Sequence, residues 1–163
     1  MFPPNVEYGD IVKGLPILDN SCAGLYCSHV LEHLSLSDFR RALSNSHRLL
    51  FDGWIFRLVV PDLEFSVNSY LPQENPSACI EFMEQTGLGY KTRNRGIAGF
   101  LREWIGNSHH LWMWDFKGVA TELEVAGFRS IRRASPGDSV DIRFLDVEDS
   151  GRWVNCLGVE CLR

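Results

Sequence analysis

Apolar residues recur along this chain either in short unbroken runs or at helical spacing, and their succession predicts an α/β fold. Leu25 to Ser28 is a short, largely apolar run between the turn-forming Asp19-Asn20-Ser21 and a polar cluster, as expected of a buried parallel strand. Ser35 with Asp38 three residues later makes a capping-box-like helix start, and Phe39, Ala42, Leu43 and Leu50 then share one helical face. Asp52-Gly53 is expected to end that helix, with glycine supplying the left-handed C-cap. Trp54 to Val60 reads as a second buried strand, stopped by Pro61, which cannot donate to a central ladder. Strand, helix and strand of these lengths form one right-handed crossover of a parallel sheet.

Further along, Leu63 to Tyr70 and Ser77 to Thr86 are helical candidates. Gly87 to Gly99, with its glycines and the basic cluster Lys91, Arg93 and Arg95, reads as a surface excursion of the kind that carries substrate-binding loops. Phe116, Val119, Ala120 and Leu123 mark a helix that starts near Asp115 and stops at Gly127, and Arg129 to Arg133 and Trp153 to Leu162 read as closing strands. The whole chain, residues 1–163, is expected to be a single domain.

Composition narrows the partners. The 163 residues are 45% hydrophobic and 23% charged, enough for one core. A formal net charge of -5 argues against nucleic acid, whose backbone is held by Lys and Arg. Cys22, Cys27, Cys79, Cys156 and Cys161 are odd in number and lack C-x-x-C spacing, so neither a disulfide framework nor a zinc knuckle is expected. There is no basic leader before an apolar core and no apolar run long enough to span a bilayer. A cytoplasmic protein with reduced thiols and no membrane partner is expected.

Gly9-Asp10, Leu15-Pro16-Ile17-Leu18-Asp19, Ser28-His29-Val30-Leu31-Glu32-His33 and Arg57-Leu58-Val59-Val60-Pro61-Asp62-Leu63-Glu64 follow one another in an order that resembles the class I S-adenosylmethionine-dependent methyltransferases. The resemblance is to the small bacterial type associated with polysaccharide synthesis, and it covers nearly the whole chain. It implies a truncated Rossmann-like methyltransferase sheet, mostly parallel with a C-terminal antiparallel hairpin. The glycine-rich turn and ribose-binding acidic residue that would precede Gly9 in this family are not found, so the chain is expected to correspond to the C-terminal portion of the usual fold. The family's lysine-proline-glycine-glycine turn is Phe51-Asp52-Gly53-Trp54 here, a second departure that bears on competence.

The resemblance implies S-adenosylmethionine as cofactor, bound weakly or not at all without that preceding half, and a small-molecule or saccharide acceptor. Asp10, Ile11 and Ser28 fall where the family holds the cofactor. His29 falls at the acceptor side of the strand end, as the candidate general base, and its near-neutral intrinsic pKa suits that role. Asn107 to Asp115 resembles the family segment that folds over the acceptor, which makes His109, His110 and Trp112 candidate substrate contacts; Asp115 also suits an N-cap.

Two other readings use the same residues. A non-catalytic methyltransferase remnant would serve as a binding or interaction module. His29-Val30-Leu31-Glu32-His33 also matches the H-x-x-E-H arrangement of inverted zinc peptidases, but that chemistry needs a sustained helix and a third ligand, so no metal site is assigned and Glu32 and His33 are read as structural. Finally, a sheet without its first strand would leave Leu25 to Ser28 at an edge, so a homodimer through that edge is expected unless Phe2 to Tyr8 fold back over it.

Overall fold

The computed structural model describes residues 7–92 and 109–163. Strands β1 (Leu25–Ser28), β2 (Ile55–Pro61), β3 (Arg129–Ala134) and β4 (Cys156–Leu162) form one sheet in the order β1-β2-β4-β3. Helices α1 (Leu36–Leu49), α2 (Leu63–Tyr70), α3 (Ala78–Gln85) and α4 (Phe116–Val125) flank it. β1 pairs with β2 in parallel, and β4 runs antiparallel to both β2 and β3, so three of the four strands share one direction. This is an open, mixed α/β sheet with antiparallel pairing at its C-terminal end.

The pleat gives the sheet two different faces. Cys27, Phe56, Leu58, Val60, Leu157, Val159 and Cys161 point to one side and pack with Phe39, Ala42 and Leu43 of α1 and Val119 and Leu123 of α4. Each fully buried Val, Leu or Phe among them contributes about 1.5–3 kcal/mol. The alternate positions, including Arg57, Gly158 and Glu160, face the β3–β4 connection, whose Asp138, Glu148 and Trp153 all reach Arg57.

Local chemistry explains most element boundaries. The Ser35 hydroxyl accepts the Asp38 N–H and starts α1, Asp62 caps α2, and Asp115 caps α4 by accepting the Gly118 N–H at 2.8 Å. Gly127 lies at φ +98° just past α4, where a left-handed residue ends the helix.

Several boundaries differ from expectation, and three of them have a distinct physical cause. Helix α1 ends at Leu49, because Leu50 turns extended and bridges Cys22; Gly53, at φ +79°, instead serves the tight turn closed by the Trp54 N–H on the Phe51 carbonyl. Pro61 belongs to β2. Its missing N–H faces β1 beyond Ser28, where the ladder ends with the His29 N–H on the Val59 carbonyl. Trp153 lies in a single 3-10 turn whose Asp149 cap accepts the Gly151 N–H, so β4 begins only at Cys156. β3 and β4 form the expected C-terminal antiparallel pair, joined by the long connection over residues 135–155.

Candidate functional site

The site begins where β1 stops. His29 adopts φ +54°, a left-handed conformation that is uncommon outside glycine and turns the chain sharply off the strand. The next residues form a single 3-10 turn over Leu31–His33, not an α-helix, with Leu31 fully buried as its anchor. The turn points the Glu32 carboxylate inward, so that His29 Nδ1 and His33 Nε2 both stand 3.7 Å from Glu32 Oε1.

A second segment is fastened to this turn by its backbone. The N–H groups of Leu111 and Trp112 donate to the Glu32 carbonyl at 2.8 and 3.1 Å. His33 Nδ1 lies 3.0 Å from the His109 carbonyl, and His110 Nδ1 lies 2.7 Å from the carbonyl of Thr86, the residue just past α3. Gly87 makes room for the His110 ring: a Cβ there would meet its Nδ1 at 2.9 Å, and φ +67° suits only glycine well.

Two hollows flank the end of β1. The first, of about 530 Å³, is walled by His29, Glu32, His33, His110, Pro61 and Cys156, with Phe65, Ser66 and Ser69 of α2 across from them. The second is an open cleft of about 1100 Å³ that takes in Asp10, Ile11, Leu25, Ser28 and Val30. Arg152 borders both, and its Nε donates to Ser28 Oγ at 3.4 Å.

The sequence-derived candidates thus divide. Asp10, Ile11 and Ser28 share the large cleft, and His29 and His110 share the smaller hollow. Asp10 also closes its own turn, accepting the N–H groups of Val12 and Lys13, and the Lys13 contact leads in holding its carboxyl below the usual range. His109 stacks on Tyr90 with ring centroids 3.7 Å apart, and Trp112 sits half-exposed beside Trp114; neither is among the walls of the His29 hollow. Lys91 pairs with Glu84, while Arg93, Arg95, Asn107 and Ser108 lie outside the described residues. Arg152 and Cys156 carry no local signature in the sequence: each reaches the site from the far end of the chain.

The electrostatics favour acid–base work by His29 over thiol chemistry. Burial lowers the His29 pKa, with Glu32 opposing and Arg152, His110 and His33 adding to the fall, so the imidazole is neutral and able to take a proton at pH 7. Cys156 Sγ is 3.9 Å from His29 Nε2, an arrangement that would suit a nucleophilic pair. Burial, aided by Glu32 and Asp62, pushes that thiol up to about 11, and the thiolate such a pair needs is absent at neutral pH.

No protein-family model matches the chain, and no curated protein matches it. Solved structures do resemble it. A SAM-dependent methyltransferase from Archaeoglobus fulgidus superimposes with a TM-score of 0.54 at 15% identity, over 98% of this chain and 67% of that one. PigF with SAH gives 0.54 at 13% identity, over 95% of this chain and 34% of that one. A SAM-dependent methyltransferase from Thermotoga maritima gives 0.50 at 14% identity, over 93% of this chain and 60% of that one. The chain spans between about one third and two thirds of the length of these neighbours. Among the described residues no helix is long and apolar enough to cross a membrane. Identities this low establish architecture alone, and the architecture is the class I fold of SAM-dependent methyltransferases.

Proposed function

We propose that the chain is a methyltransferase-like domain of the polysaccharide-associated type, which places S-adenosylmethionine in the large cleft and a small-molecule or saccharide acceptor in the His29 hollow. The observation that carries this reading is the position of the Ser28-His29 step, at the carboxyl end of β1 with one cavity on each side, where open α/β sheets bind ligands. Asp10, Ile11 and Ser28 would border the cofactor, which supplies an activated methyl group when bound. The chain's own residues would orient the acceptor and remove its proton. His29 would take the acceptor's hydroxyl proton, leaving the oxygen free to receive the methyl group that the bound cofactor would supply. The proposed setting is the cytoplasm.

The 163 residues contain no glycine-rich turn before Gly9, so this chain alone is expected to bind the cofactor weakly or not at all. Each missing hydrogen bond to a charged group costs about 1.5–3 kcal/mol. Calorimetric titration with S-adenosylhomocysteine checks this, and saturable binding at low micromolar concentration would refute it. In a preparation that does turn over, with the glycine-rich segment supplied in cis or in trans, His29→Ala should reduce turnover by about 10²–10⁴-fold while leaving cofactor affinity near its starting value. Weakened cofactor binding at an unchanged rate would assign His29 the other role, and no methyl transfer in any such preparation would favour a binding module.

We also propose that a second copy pairs along β1, which has β2 as its only strand neighbour in the described sheet. Light scattering at high micromolar concentration is expected to give a dimer; a monomer there would count against it.

A further inference from the structure

Methyl transfer leaves one group at the site unused. The Glu32 side chain is 1% exposed, and among the described residues neither of its carboxylate oxygens has a hydrogen-bond donor. A buried carboxylate without donors or a cation is strongly disfavoured, so a group held this way in a tight turn points to a missing counter-charge.

The neighbours are arranged to supply that charge's other ligands. His33 and His110 each set Nδ1 against a backbone carbonyl, at 3.0 Å from His109 and 2.7 Å from Thr86. A carbonyl only accepts, so each Nδ1 carries the proton and each Nε2 keeps its lone pair, which is how a metal-binding imidazole is oriented from behind. One donor atom from each of Glu32, His33 and His110 lies within 4.8 Å of the other two. Bond lengths of about 2.0–2.1 Å in a tetrahedral zinc site put neighbouring ligand atoms about 3.3 Å apart. The Glu32–His33 separation of 3.7 Å is already close to that, and the other separations, all within 4.8 Å, would have to shorten by at most about 1.5 Å on binding. The hydrogen bonds from Leu111 and Trp112 to the Glu32 carbonyl hold the two arms of the cluster together.

We propose that Glu32, His33 and His110 form a binding site for a first-row divalent cation of the zinc type, with an open coordination position facing the His29 hollow. Two imidazoles and one carboxylate leave room for a water or an oxygen of a bound molecule. The donor set is not the one that H-x-x-E-H spacing suggests. The turn between His29 and His33 is 3-10 and not a sustained α-helix, and the second imidazole comes from His110, across the site.

The test uses the full chain without a histidine tag, stripped with a chelator. Titration with Zn²⁺ by calorimetry is expected to show one saturable site, and Co²⁺ is expected to give visible d–d bands without a thiolate charge-transfer band. Glu32→Gln and His110→Ala should each weaken Zn²⁺ binding by at least about 10–100-fold, the range seen even for outer-shell changes, whereas His47→Ala, in a residue that packs on Phe128, should not. No saturable Zn²⁺ binding below roughly 100 μM, affinity unchanged in both variants, or a cobalt–thiolate band from Cys156 would each overturn the assignment. The wild-type cobalt spectrum decides even if a variant fails to fold. None of these readouts needs S-adenosylmethionine, so the metal site and the methyl-transfer reading fail separately.

Discussion

Replacing Arg57 with methionine is expected to cost about 3–5 kcal/mol of folding stability, the penalty for removing one partner from a buried ion network. Arg57 is completely buried in β2. Its guanidinium donates to Glu148, to Asp138 at 3.0 Å, to Glu160 at 2.9 Å and to the Ser135 carbonyl at 2.6 Å, and it lies 4.8 Å above the Trp153 ring. The side chains of Glu148 and Glu160 are only 4% and 8% exposed, so without the guanidinium Glu148 loses its buried cation and Glu160 keeps only Arg132. Urea unfolding monitored by tryptophan fluorescence reads the loss, and a change below about 1 kcal/mol would place the network in the range of ordinary surface pairs. The same cluster sets acid tolerance. Burial alone would raise the Asp138 carboxyl, but bonds from Arg132, the Ser135 N–H and Arg57 hold it down at about 2. A carboxyl depressed by folding stabilises fully above its unfolded pKa, so this contribution persists above about pH 4 and is lost as pH falls toward 2.

Gly158→Ala should also destabilise severely, at or beyond the upper end of the roughly 1–3 kcal/mol typical of overpacking. A Cβ at this position in β4 would stand 2.1 Å from Trp153 Cζ3 and 2.6 Å from the Ala134 carbonyl oxygen. Neither neighbour can yield cheaply. Ala134 is the ladder partner of Gly158 on β3, and Trp153 is nearly buried beneath Arg57. Thermal unfolding of the variant should show a clear drop in Tm, and a near-native value would mean that Trp153 rotates away without loss. The β3–β4 connection thus rests on a missing methyl as much as on its charges.

The physical scale of each signal determined how much of this was legible in the sequence. β1 and α2 match their expected spans, and the starts of α1 and α4 match because Ser35 and Asp115 cap through contacts three residues away. The end of α1 did not follow from Asp52-Gly53, because a tertiary bridge between Leu50 and Cys22 ends the helix before its local stop signal. β4 starts later than the apolar pattern suggests, because Trp153 packs against Arg57 and does not join the strand. At the site, His29 was visible as the residue closing a strand, and His110 as part of an aromatic-rich cluster. That Glu32 lies between them was hidden, because it depends on Leu111 and Trp112 bonding to its carbonyl. Arg152 had no local signature at all, standing 124 residues from the Ser28 hydroxyl it touches.

That long-range arginine would make the two cavities thermodynamically dependent on each other wherever an occupant moves its guanidinium. Arg152 is a wall of both, with its Nε already donating to the Ser28 hydroxyl beside the larger one. Any occupant that draws the guanidinium to its own side changes the free energy of filling the opposite side, and reciprocity requires the second occupant to exert the same coupling on the first. The order in which the cavities fill then alters the intermediate states but not the total.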